Sequence, residues 1–339
     1  MKVIFAEEQA RHHPGLILSS GAPEANPEVP ERAERLLAAC LSSGLTHEHP
    51  SDYGLAPISA VHSAEYLHFF EHIYTRWKRI PGASEDVIPN IHPDRRDFGY
   101  PASAVGQVGY HVYDGAAPIG AETWDSARWS ANSAIHAAYE VLTGSNAAYA
   151  LARPPGHHAM RDQAGGFCYF NNSAIAAQVL RSDHERVAIL DIDVHHGNGT
   201  QNIFYERNDV LTISLHADPV RFYPFFWGYA AERGEGPGLG SNLNLPLNRG
   251  TGDEEYLAAL QEAIDRIGAF GPGALVVALG LDAHVGDPFQ GMKITTEGFG
   301  RIAHRIAALK LPTVLVQEGG YLTDDLGDNL SSFLAGFTR

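Results

Sequence analysis

Residues 187–200 read VAILDIDVHHGNGT. A short apolar run runs straight into two carboxylates, two imidazoles, a glycine and an asparagine. Such a run, bounded by turn residues, reads as a fully buried strand. Comparable runs recur at 2–5, 147–152, 210–215, 275–279 and 313–316. Between many of them lie Ala/Leu-rich stretches of helical period, at 31–41, 129–142, 172–180, 254–267 and 296–309. Strand and helix alternating in this way predict an α/β fold, a multi-stranded parallel sheet with helices on both faces. No repeat, low-complexity tract or linker divides the chain, so one domain over 1–339 is expected.

In open α/β sheets, ligands bind beyond the carboxyl ends of the strands. The run at 147–152 leads to His157 and His158, and the run at 187–190 to Asp191, Asp193, His195, His196 and Asn198. The later runs deliver Ser214, Leu215 and His216, then Asp282 and His284, then Glu318 and Tyr321. A lone Asp–His pair after a strand more often caps a loop; five strand ends carrying such groups argue for a site. If the chain stays extended after 190, Asp191, Asp193 and His195 point to one side, because residues two apart share a face. Asp193 and His195, with Asp282 from another strand end, then make two carboxylates and one imidazole. Three protein ligands and an open position are the pattern of catalytic zinc. His157 and His158, after the stiff Pro154-Pro155-Gly156, look positioned for proton transfer, with holding a metal or orienting its ligands the alternatives that geometry must separate. Tyr321, after Gly319 and Gly320, is placed to polarise a carbonyl.

Composition narrows the partners. With 24 basic and 40 acidic side chains the net charge is −16, which argues against nucleic acid and favours cationic ligands. No apolar run approaches the ~20 residues of a membrane span. Two cysteines, Cys40 and Cys168, cannot build a disulfide framework, so the cytoplasm is expected. The segment 78–120 is rich in Pro, Gly, Asp and His and has little period. A loop that long is expected to serve structure or an interface.

The motifs RPPGHHA (153–159), GGFCYFNN (165–172), ILDIDVHHGNGTQNIFY (189–205), SLH (214–216), GLDAHVGDP (280–288) and EGGY (318–321) resemble the arginase/deacetylase superfamily of zinc amidohydrolases, the family of histone deacetylases. The opening MKVIFAEE, DRR (94–96), GQVGY (106–110) and FYERNDV (204–210) are similar to the bacterial acetylpolyamine amidohydrolases. The resemblance implies one Zn2+ per subunit on Asp193, His195 and Asp282, with Fe2+, Co2+ or Mn2+ as substitutes. It implies that Asp191 pairs with His157, and that Asn198 stands beside His158 where some relatives carry Asp. It implies a structural K+ on Asp191, Ser214 and the carbonyls of Asp193, His195 and Leu215. Gly166, Phe167 and Tyr223 fall at a narrow acyl-chain tunnel, and the 78–120 loop is expected to join a homodimer. Leu16, Ile17 and Val105 stand where those enzymes meet the cationic end of their substrate with acids; Asp94, Asp97 and Asp114 are the available replacements.

The expected activity is zinc-dependent removal of an acetyl or short acyl group from a small cationic amine. His158 serves as general base and then general acid, His157 as electrostatic stabiliser and Tyr321 as oxyanion donor. Protein acetyl-lysine is the rival substrate. A binuclear manganese ureohydrolase would want a further carboxylate where Asn198 stands, and a non-catalytic binder would have no need of His157, His158 and Tyr321 together.

Overall fold

The computed structural model describes residues 1–338; Arg339, the end of the expected domain, lies outside them. In chain order the strands are β1 Lys2–Ile4, β2 Leu16–Ser19, β3 Ala22–Ala25, β4 Thr46–Glu48, β5 Ala147–Ala150, β6 Val187–Asp191, β7 Val210–Ala217, β8 Asn242–Leu247, β9 Ala274–Leu279 and β10 Thr313–Gln317. The helices are α1 Glu31–Ser42, α2 Ala56–Ser59, α3 Ala64–Trp77, α4 Ala104–His111, α5 Thr123–Leu142, α6 Asn172–Leu180, α7 Asn198–Phe204, α8 Asp253–Phe270, α9 Thr296–Ala307 and α10 Leu326–Phe337.

Eight strands form one sheet in the order β4-β1-β5-β10-β9-β6-β7-β8, and every pairing in it is parallel. Side chains alternate between its faces. Val187, Ile189, Val276 and Val314 pack with α3, α5 and α6 on one side. Ala188, Leu190, Val277 and Leu315 pack with α1, α8, α9 and α10 on the other. Burial on both faces explains the near-continuous apolar strands, and each fully buried Leu, Ile or Val contributes roughly 1.5–3 kcal/mol.

All six strands expected from the sequence are present. The remaining four have weaker signals. β4 and β8 are the sheet edges, where short polar strands and Pro246 are tolerated. β2 and β3 form a separate antiparallel hairpin, turning through Ser20 and Gly21 at φ 50° and 81°. The 78–120 segment also departs from expectation, because it contains α4. Ser103 caps that helix, its side chain accepting the Gly106 N–H, and Val108 of the helix sits in the core. Antiparallel pairing of Val87 with Ile119 ties the two ends of the segment together. No described helix is long and apolar enough to cross a membrane.

Candidate active site and metal centre

Because β5, β10, β9, β6 and β7 are adjacent and parallel, the loops that follow them meet at one edge of the sheet. Strand β6 ends at Asp191, so the chain does not stay extended as the sequence reading assumed. Instead Asp191 Oδ1 accepts the Asp193 N–H (3.1 Å) and Asp193 Oδ1 accepts the His195 N–H (2.9 Å). These two carboxylate-capped turns send Asp191 toward His157, while Asp193 and His195 meet Asp282 from the β9 loop.

Asp193, His195 and Asp282 place one donor atom each within 4.8 Å of one another. His195 Nδ1 lies 3.1 Å from Asp193 Oδ1 and 3.2 Å from Asp282 Oδ2. Both carboxylates are fully buried, and neither is paired with Lys or Arg among the described residues. Two buried anions without a fixed cation call for a positive charge between them. The protonation pattern agrees. Burial works against a charged His195, but hydrogen bonds to Asp193 and Asp282 push it up to about 9. Burial and the nearby Asp193 raise Asp282 to about 6. A Cβ on Gly319 would stand 2.2 Å from Asp282 Oδ2 and 2.5 Å from Asp193 Oδ2, so the glycine leaves the carboxylates their room. The set of one nitrogen and two oxygens fits a catalytic zinc with positions left open.

For a second cation, Ser214 is suitably arranged. His216 Nε2 donates to the Gly228 carbonyl (2.8 Å), so its bare Nδ1 takes the Ser214 proton (2.8 Å). Burial keeps His216 neutral by lowering it to about 4. Ser214 Oγ thereby presents lone pairs beside Asp191, with which it is in register across β6 and β7. His196 and His284 are not in the metal group: His196 contacts Asn244, and His284 Nδ1 accepts the Gly286 N–H.

The two adjacent histidines are driven apart. Burial opposes a charged His157, but the carboxylates of Asp191, 2.9 Å from its Nδ1, and of Asp193 raise it well above the ordinary value. Burial, then the charges of His157 and His195, hold His158 well below it. Their rings are 4.0 Å apart between centroids, one poised as a cation and the other as a neutral base. Glu318 supports them from beneath. Its Oε2 accepts the N–H groups of Gly156 (2.7 Å) and His157 (3.0 Å), and its Oε1 the Ser173 hydroxyl (2.7 Å). Burial pushes Glu318 up to about 7, with His157 opposing.

Tyr321 is 4% exposed and lines the same cleft. Its ring packs edge-on against Phe289 (4.7 Å) and Phe167 (5.9 Å), and no group among the described residues engages its hydroxyl. Arg32 holds this turn from behind: Nε donates to the Gly320 carbonyl (2.5 Å), Nη2 to that of Glu318 (2.9 Å), and Cζ lies 4.7 Å from the Tyr321 ring centre. Glu28, buried like Arg32, pairs with Arg32 (2.6 Å) and Arg153 (2.9 Å). The sequence reading missed Arg32 and Glu28. A charged residue on the buried stripe of α1, with Leu36, Ala39 and Cys40, is the signal that would have found Arg32; Glu28 lies ahead of the helix and carried no such signal.

The cleft has a volume of about 630 Å³. Phe167 and Tyr223 stand on its walls, and Gly166 lies against His158 and Tyr223. Phe167 holds a left-handed backbone, φ 68°, a strain of ~1–3 kcal/mol that usually persists where a side chain must face a ligand. The hairpin supplies Ile17 and Leu18, and Phe225, Phe226 and Trp227 complete the mouth. Of the three acids considered, only Asp114 lines the cleft. Asp97 is paired with Arg95, and neither it nor Asp94 reaches the lining. Arg221 is the other charged residue at the rim. The aromatic faces there offer cation–π attraction, which sequence position alone could not reveal.

Residues 26–337 match the histone deacetylase domain. The chain is 47% identical to the acetylpolyamine amidohydrolase of Burkholderia pseudomallei, over 99% of this chain and 98% of that one. It is 40% identical to the acetylpolyamine amidohydrolase of Mycoplana ramosa, over 99% of each. A crystal structure titled acetylpolyamine aminohydrolase from Burkholderia pseudomallei superposes with a TM-score of 0.96 at 47% identity, covering 99% of this chain and 98% of the other.

Proposed function

The chain belongs to the histone deacetylase family, and on that premise we propose that it hydrolyses the acetyl amide of a small cationic amine, an acetylated polyamine or diamine, with a zinc ion as cofactor. Membership makes it a hydrolase of amide bonds. The carrying observation is the convergence of Asp193, His195 and Asp282 with His157, His158 and Tyr321 at one cleft. Relatives of full length and 40–47% identity bear the name acetylpolyamine amidohydrolase, which supports the substrate class.

Asp193, His195 and Asp282 would hold the zinc ion, which when bound would lower the pKa of a water and polarise the substrate carbonyl. His158, neutral, takes a proton from the attacking water as its oxygen bonds to the carbonyl carbon. Tyr321 donates its hydroxyl hydrogen to the developing oxyanion, and the His157 charge stabilises the same negative centre. As the C–N bond breaks, His158 returns its proton to the leaving amine, and the second proton of the water passes from the new carboxyl group to the same nitrogen, giving acetate and the ammonium form of the amine. Phe167 and Tyr223 flank the chain of the substrate, and Gly166 lets them approach. K+ on Asp191, Ser214 and the carbonyls of Asp193, His195 and Leu215 is proposed as a structural ion.

The net charge of −16 supports attraction of a cation and disfavours nucleic acid. Exposed Ile91, Phe98 and Tyr100 on the 78–120 segment support a homodimer through it. Cys40 and Cys168, both free and buried, support a cytoplasmic setting. The test is a substrate panel on zinc-loaded protein, with the oligomer measured by light scattering in the same buffer. A dimer that cleaves acetylputrescine, acetylcadaverine or acetylspermidine faster than an acetyl-lysine peptide is expected. A monomer that prefers the peptide would overturn the substrate and assembly readings together.

A further inference from the structure

His158 acts as a base only if its neutral ring carries the proton on Nδ1 and leaves Nε2 bare. Its Nδ1 meets Asn198 Oδ1 at 2.7 Å. An asparagine amide has a donor end and an acceptor end of nearly equal shape, so something must fix which end faces the ring. The other end, Nδ2, lies 3.2 Å from the Tyr113 hydroxyl. That hydroxyl is also 3.2 Å from the His158 carbonyl and 3.2 Å from the Tyr223 hydroxyl. Tyr223 in turn donates to Asp114 Oδ2 at 2.6 Å. The backbone N–H groups of Ala116 (2.9 Å) and Gly166 (3.1 Å) complete the surroundings of Asp114.

We propose that Asp114, Tyr223 and Tyr113 are positioning residues that, through Asn198, set the tautomer of His158; this rests on the reading of His158 as the base. Asp114, ringed by donors, only accepts. Tyr223 must therefore give it the phenolic proton and can itself only accept. The single Tyr113 proton then faces two acceptors, the Tyr223 oxygen and the His158 carbonyl, neither able to donate to it. The Tyr113 oxygen is left as an acceptor, and Asn198 must turn its Nδ2 toward it and its Oδ1 toward His158. With Oδ1 facing the ring, Nδ1 holds the proton, since the partner of one ring nitrogen decides the state of both. Reversing the amide would draw the Tyr113 proton away and leave both its acceptors unsatisfied. The motif beginning at Gly165 makes this contact possible. A Cβ at Gly165 would stand 2.0 Å from the Tyr113 ring, and one at Gly166 (φ 53°) 2.5 Å from His158 Cδ2 and 2.7 Å from the Tyr223 hydroxyl. Tyr223 meets the His158 ring edge-on at 5.0 Å.

The test combines kinetics with a direct view of the tautomer in full-length zinc protein labelled with 15N-histidine. The His158 signals are assigned by their loss in His158→Ala. The native ring is expected to be protonated at Nδ1. Tyr113→Phe is expected to populate the Nε2-protonated form and lower kcat roughly tenfold, a part of what a general base contributes, with KM within about twofold. Asp114→Asn, which keeps the shape but can donate, is expected to move the tautomer the same way, and it serves alone if Tyr113→Phe does not fold. A native tautomer and native kcat in the folded variants would overturn the proposal. His158→Ala with near-native turnover would instead overturn the base assignment, and the tautomer would still report on the relay.

Discussion

Asp282→Ala protein, purified and dialysed against buffer without chelator, is expected to hold less than about a tenth of an equivalent of zinc, because a three-ligand site cannot spare an anionic ligand. Turnover of acetylputrescine should fall by a factor on the order of 10³ or more as the metal's share of the catalysis is lost. Asp193→Ala should behave alike, since the two carboxylates face the same His195 nitrogen at 3.1 and 3.2 Å. Asp282 Oδ1 also accepts the Val194 N–H at 2.9 Å, so the alanine variant loses a loop contact as well. Asp282→Asn retains an acceptor for that N–H and separates the two effects: it should fold like the parent and still fail to retain zinc. Stoichiometric zinc and full activity in any of these variants would show that the ligands lie elsewhere.

Tyr321→Phe should keep the zinc, the fold and a KM within about twofold while kcat falls by ~10²–10³, the usual cost of removing one oxyanion donor. The ring contacts to Phe289, Phe167 and Arg32 do not involve the hydroxyl, and no described residue depends on it for a hydrogen bond. Unchanged kcat would make Tyr321 a packing residue.

The interior strands and the helices with a clear apolar stripe were legible because burial on both faces leaves a mark on every residue. The hairpin at Leu16–Ser19 and Ala22–Ala25 was not, since its second strand is wholly exposed. Asp193, His195 and Asp282 could be named because a parallel sheet sends all its strand ends to one edge. The turns that assemble them could not, because they are made by carboxylates capping backbone N–H groups two residues on. That Arg32, paired with Glu28, meets the Tyr321 turn was invisible, since 288 positions separate Arg32 from Gly320. Asp94, Asp97 and Asp114 were indistinguishable in sequence; only the three-dimensional course of the 78–120 segment sets Asp114 apart.

Titrating metal-depleted protein with zinc, while following acetylputrescine hydrolysis, tests the central claim most directly. The rate should start near zero, rise linearly and stop rising at one equivalent per chain, as one site built from Asp193, His195 and Asp282 requires. A break at two equivalents, or full turnover before any metal is added, would contradict it.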